Sequence, residues 1–131
     1  MSIMHRWFEE VWNKGRESAI DEMSTDQVSS QGLRSHDGKE FQDKEAFRVF
    51  YRQMQAGLSD IHIDVQQVVT EGDFCVARCV VTAKHTGDGL GKVPKGNPLR
   101  FTGMSMARIE DGKIAEAWNN FDFLTMYQQM D

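Results

Sequence analysis

Apolar residues recur at helical spacing over the first half of the chain and then switch to alternation, so the pattern predicts helices first and strands afterwards. From about Ile3 to Met23, the residues Ile3, Trp7, Val11, Ala19, Ile20 and Met23 stand among charges at close to helical spacing. Asn13-Lys14-Gly15 interrupts the run, which makes the segment one helix or two joined there. Ser24 to Lys39 is rich in Ser, Gly and Asp and predicts a surface crossing or cavity rim, with at most a short strand around Gln27 to Gln31. Asp43 then caps a second helix in which Ala46, Phe47, Phe50, Tyr51 and Met54 recur until Gly57 stops it.

From Leu58 the period becomes two, with Ile61, Ile63, Val65 and Gln67 on one face and His62, Asp64 and Gln66 on the other. Glu71-Gly72-Asp73 turns the chain into Phe74 to His85, where Cys75, Ala77, Cys79, Val81, Ala83 and His85 share the parity expected inside, and Arg78, Thr82 and Lys84 the other. Thr86 to Asn97 carries four Gly and one Pro, a loop long enough to suggest a binding rim. Strands Leu99 to Ile109 and Lys113 to Phe121, joined at Glu110-Asp111-Gly112, complete a meander of about four antiparallel strands. Phe123, Leu124, Tyr127 and Met130 then fall at helical spacing in a short closing helix.

This order predicts an α+β domain spanning 1–131: a curved antiparallel β-sheet forming a cone or half-barrel, with N-terminal helices packed on its concave face. Length and composition agree, since 131 residues with 40% hydrophobic content suffice for one core. The net charge of -5 and the lack of a basic run argue against nucleic acid as a partner. No apolar stretch approaches the roughly 20 residues of a membrane helix, and Met1-Ser2-Ile3-Met4-His5-Arg6 lacks a signal-peptide core; a cytoplasmic protein without membrane association is expected. Cys75 and Cys79 lie too far apart along one strand for a local disulfide and are expected as buried fillers. No CxxC pair, HExxH, Walker loop or GxGxxG occurs, so neither a metal nor an organic cofactor is expected.

The candidate chemistry centres on Asp122, where the last strand hands over to the closing helix. Between Phe121 and Phe123 its carboxyl is expected to be partly desolvated, with a pKa raised toward values useful for proton transfer. The competing reading is a helix N-cap.

The element order and several short motifs resemble the ketosteroid-isomerase-like (nuclear transport factor two, cystatin-like) superfamily, and within it the SnoaL-like polyketide cyclases and predicted ester cyclases. The motifs are Lys44-Glu45-Ala46-Phe47-Arg48-Val49-Phe50-Tyr51, Val68-Val69-Thr70-Glu71-Gly72-Asp73, His85-Thr86-Gly87, Phe101-Thr102-Gly103-Met104, Arg108-Ile109-Glu110-Asp111-Gly112-Lys113-Ile114 and Trp118-Asn119-Asn120-Phe121-Asp122. The resemblance implies that Asp122 matches the acid/base of an intramolecular aldol ring closure, in which one carboxyl takes a proton from an activated methylene and later protonates the alkoxide. Ser105 and Gln31 stand where such relatives carry His, and the predicted ester cyclases are the closer match.

The expected substrate is a small, apolar, carbonyl-containing molecule. Besides Asp122, the residues expected to serve it are His85, reaching the cavity mouth, and Trp118 and Asn120, which share the parity of Asp122. Ser105 is a candidate polar contact, and Gln31, Tyr51, Phe47 and Trp12 are candidate lining residues. Met104 and Met106 point to the outer face of the sheet, where they suit a homodimer, as the resemblance also implies. His5, His36 and His62 share no spacing and are assigned no role. A non-catalytic module, binding a small ligand or serving as a dimeric scaffold, is the alternative.

Overall fold

Five strands form one sheet in the computed structural model, which describes residues 2–35 and 37–131; His36 lies outside them. The strands are β1 (Ser24–Gln31), β2 (Leu58–Glu71), β3 (Phe74–His85), β4 (Pro98–Glu110) and β5 (Lys113–Phe121), in spatial order β1-β5-β4-β3-β2. The last four are the expected antiparallel meander. The first was underestimated: β1 runs eight residues and lies parallel to β5 along the sheet's edge. Its sequence, STDQVSSQ, offers the apolar pattern only Val28, which is why a polar edge strand reads as a loop.

The N-terminal run is interrupted at Asn13-Lys14-Gly15 as expected, giving α1 (Ile3–Trp7) and α2 (Ser18–Met23). Between them Phe8–Asn13 winds as a π segment, which widens the turn so that Phe8, Val11 and Trp12 all reach the core. Asn13 closes it: its Nδ2 donates to the Ile63 carbonyl at 3.0 Å and its Oδ1 accepts from the Ile63 amide at 2.6 Å. That double bond serves β2 where its pairing with β3 slips between Ser59 and His62, with Asp60 at φ 53. A second slip between Val65 and Gln67 breaks the expected alternation there, so Gln67 is exposed while Val68 packs on the core.

Helix α3 (Lys44–Gly57) is capped by Asp43, whose carboxylate accepts from the Ala46 amide at 2.7 Å, and it buries Phe50, Tyr51 and Met54. Arg48 joins it to α2 through Asp21 at 3.0 Å, and Arg52 does so through Glu17 at 2.8 Å. The inward set of β3 is as expected: Cys75, Ala77, Cys79, Val81, Ala83 and His85 are all buried, both cysteines are free thiols, and burial pushes the Cys79 thiol up to about 12.

The helix α4 (Phe123–Gln128) closes the chain, but it buries Met126 and leaves Leu124 70% exposed, contrary to the expected face. The loop 86–97 is a packing element: Gly87 and Gly89 lie against the backbone of Ala56 and Gln53, and Leu90 sits on Gly57. None of its residues lines the interior cavities described below, so it is not the expected rim. No described helix is long and apolar enough to cross a membrane.

Candidate functional site

The concave face of the sheet and the helices above it enclose two small cavities. The first, about 50 Å³, is lined by rings from every side, among them Trp12, Phe47, Phe50, Phe101, Phe121 and Phe123; its one amide or hydroxyl side chain is Asn119. These rings pack tilted or edge-on, with Trp12 6.3 Å from Phe47 and Phe50 6.1 Å from Phe123, the geometry that the aromatic quadrupole favours. The second, about 40 Å³, lies toward β1 and is more polar, with Ser24, Ser30, Ser105, Asn119, Asp43 and Lys44 on its wall. Trp7, Phe47 and Asn119 line both, and the Trp7 and Phe47 rings stand 5.6 Å apart between them.

Asn119 is the hub of the interior polar groups. Its Nδ2 donates to the Gln31 carbonyl at 2.9 Å and to the Ser30 hydroxyl oxygen at 3.0 Å, and its Oδ1 accepts from the Ser105 hydroxyl at 2.9 Å. A backbone carbonyl only accepts, so the Gln31 bond sets which end of the amide is nitrogen, and the direction of the whole chain follows. Gly32 makes the close approach possible. It sits at φ 87, and a Cβ there would fall 1.9 Å from the Asn119 carbonyl oxygen. Gly103 does the same for the opposite wall, where a Cβ would meet the Phe121 ring at 2.2 Å.

The expected site residues divide into two groups. Phe47 and Trp12 line the first cavity and Ser105 the second. Tyr51 stands behind the wall, its ring 5.0 Å from Trp12 and its hydroxyl donating to the Val11 carbonyl at 2.9 Å. Gln31 contributes its backbone carbonyl, while its side-chain oxygen turns to Gln42 at 3.5 Å.

Trp118, Asn120, Asp122 and His85 do not face the cavity. On β5 the inward parity belongs to Ala117, Asn119 and Phe121, and Trp118 packs on Phe74 on the outer face, their rings 6.3 Å apart. Asn120 and Asp122 border a shallow outer basin with Gln66, Arg78 and Met104. His85 is wholly buried, both ring nitrogens lack a hydrogen-bond partner, and it lines neither cavity. The signal that separates the two faces was Glu116: a charged residue in mid-strand marks the outward parity, which Trp118 and Asn120 share. Asn119 was missed for that reason, and Ser30 because it lies on the polar strand β1, whose sequence offers no alternation from which to read a facing.

Asp122 is the N-cap of α4. Its Oδ2 accepts from the Thr125 hydroxyl at 2.6 Å and its Oδ1 from the Thr125 amide at 3.1 Å. Those two bonds, the hydroxyl's first, hold the exposed carboxyl below its ordinary range, the reverse of the upward shift that desolvation was expected to cause. The ionisable side chains on the cavity walls are Asp43 and Lys44; the first caps α3 and the second faces Asp21 at 3.4 Å. Among the described residues, no three His, Cys, Asp or Glu side chains gather where they could hold a metal ion.

Among curated proteins none matches the chain in sequence. Solved structures do match over its length. TsrD from Streptomyces laurentii superposes with a TM-score of 0.81 at 22% identity, covering 98% of this chain and 91% of that one. IdmH from Streptomyces antibioticus, a proposed polyketide cyclase, gives 0.80 at 27%, covering 97% and 94%. A proposed SnoaL-like polyketide cyclase from Jannaschia sp. CCS1 gives 0.83 at 22%, covering 98% and 88%. A protein from Catenulispora acidiphila, described as having a ketosteroid isomerase-like fold, gives 0.76 at 14%, which places the curved sheet and its helices in that fold. The SnoaL-like polyketide cyclase profile matches residues 2–130, and the chain belongs to that family.

Proposed function

We propose that the protein takes a small, largely apolar, carbonyl-bearing molecule into the cone and carries out cofactor-free proton transfer on it, of the kind that ring closure requires. The observation that carries this reading is the interior itself: an aromatic cavity whose polar groups are gathered in one hydrogen-bonded chain through Asn119. An apolar enclosure with a few convergent polar groups is the usual form of a small-molecule site. Each cavity is far smaller than the roughly 300–1,000 Å³ of such sites, so a ligand enters by parting Trp7 and Phe47, which line both.

Asp122 is the base in this reading. Phe121 and Phe123 on either side of it line the cavity, while its carboxylate rests outside, held by Thr125. Turning inward means giving up the two bonds that depress its pKa and entering an apolar space. Both changes raise the pKa and make the carboxylate a stronger base.

The test is exchange of the α-protons of an aryl ketone into D2O, followed by NMR. Wild type accelerates it, and Asp122→Asn lowers the rate at least about 10²-fold if the carboxylate removes the proton. A second reading, a binding module without turnover, is favoured by the resting state of Asp122 as an exposed cap; ketone binding without any acceleration of exchange would establish it.

The outer face supports pairing with a second copy. Val69, Val76, Met106 and Trp118 are register partners in one row across β2, β3, β4 and β5, and Met104 beside them is 51% exposed. Arg78 and Asp122 border the same basin with opposite charges, which suits a self-complementary two-fold contact.

A further inference from the structure

The three serines of the second cavity are not equivalent as donors. The Ser24 hydroxyl donates to the Ile20 carbonyl at 2.5 Å, and the Ser105 hydroxyl donates to Asn119. The Ser30 hydroxyl oxygen accepts from Asn119 Nδ2, and its own proton is given to no described residue. Ser30 is 7% exposed and lines the cavity, so this is a buried donor, bonded to no acceptor among the described residues, that borders the cavity. The direction of the network is fixed from the Gln31 carbonyl outward, so Ser30 cannot exchange roles with Ser105 by a flip of the amide. Both protons of Asn119 Nδ2 are spent, which leaves the amide nothing to donate to a ligand.

We infer that the second cavity is a subsite for a hydrogen-bond acceptor on the ligand, a carbonyl or ester oxygen, and that Ser30 is the donor that reads it. The apolar body of the same molecule occupies the first cavity, and the Trp7–Phe47 pair spans the junction. Ser105 and Asn119 act as positioning residues: they hold the Ser30 oxygen as an acceptor on one side and so aim its proton at the ligand on the other. A donor that already accepts a hydrogen bond is polarised by it, which strengthens the bond it gives. The inference rests on the proposal that the cone binds an apolar carbonyl compound, and it adds which residue recognises the oxygen.

The experiment compares 1-phenylpropan-1-one with propylbenzene, the same skeleton with and without the carbonyl, by amide chemical-shift titration of the folded protein. Wild type binds the ketone more tightly and shifts the amides of Ser105, Ala107 and Ala117 around the second cavity. Ser30→Ala weakens the ketone about tenfold, the scale of one buried hydrogen bond, and leaves the hydrocarbon within about twofold. Ser30→Thr, which keeps the hydroxyl, restores the preference. If Ser30→Ala weakens both probes equally, or leaves the ketone unchanged, Ser30 is not the donor and the inference is overturned while cone binding stands. If wild type binds neither probe, cone binding fails and the inference falls with it.

Discussion

The Ser105 hydroxyl donates to the Asn119 amide oxygen across β4 and β5 at 2.9 Å, between residues that are direct register partners. Deleting the two ends of this bond has unequal cost. Ser105→Ala removes one donor and leaves Asn119 its two other bonds, at about 1 kcal/mol. Asn119→Ala strands the Gln31 carbonyl, the Ser30 hydroxyl and the Ser105 hydroxyl together, for about 2–4 kcal/mol. Urea unfolding of the two single variants and the double variant measures this. Equal losses from the two single variants would show that Asn119 is not the hub.

Asp122 contributes stability with a defined pH dependence. Its folded pKa lies below the ordinary 3.8, chiefly through the Thr125 hydroxyl, so the contribution is complete above 3.8 and is lost as pH falls through the folded value. Asp122→Asn keeps a capping side chain without the charge. Its melting temperature therefore lies below that of wild type at neutral pH, and the two curves converge in acid below about 3.8. A gap that stayed constant between pH 6 and 2.5 would contradict the assignment.

The sheet meander and the long helix were legible because their apolar periods are clean: β3 alternates without a break, and Asp43 caps α3 as capping chemistry requires, while Gly57 ends it as a helical residue followed by extended Leu58, without the left-handed turn of a glycine cap. What sequence did not convey were places where tertiary partners override pattern. Polar β1 is a strand because β5 offers an edge, and β2 changes parity at two slips, the first of which Asn13 and Asp60 accommodate. The site suffered most, since facing is all-or-none along a strand. Once the parity of Glu116 is read as outward, Asn119 replaces Asn120 and Trp118 together.

Thr125 connects the cap to the proposed chemistry. Thr125→Val removes the shorter of the two bonds to Asp122, so the helix end loses stability and the Asp122 pKa moves back up. If the carboxylate works only after leaving Thr125, ketone α-proton exchange in this variant is at least as fast as in wild type despite a lower melting temperature. A drop in exchange comparable to that of Asp122→Asn would instead mean that the capped geometry is the active one.

The glycines at the two ends of the polar chain set the shape of the cavity walls. Gly103→Ala drives a methyl into the Phe121 ring, a flexible neighbour that yields by turning into the first cavity, so folding survives at about 1–3 kcal/mol while ligand binding is lost. Gly32→Ala meets the Asn119 backbone instead, and at φ 87 it is strained whatever the space, so the loss of stability exceeds that at Gly103. Thermal denaturation ranks the two, and the reverse order would mean that β1 can move away from β5 without cost.

The outer row of Val69, Val76, Met106 and Trp118 belongs to a sheet whose other face is already filled by the core, so its apolar surface is either solvated or shared with a second copy. Met106→Lys puts a charge in the middle of that row without touching the cavity. In a dimer, each copy would present the new ammonium to its symmetry mate across the two-fold, and desolvating two like charges there costs far more than one exposed lysine does in a monomer. Sedimentation velocity is expected to show wild type as a dimer and Met106→Lys as a folded monomer with unchanged circular dichroism. A wild type that sediments as a monomer at high micromolar concentration would leave the outer face a plain solvent surface.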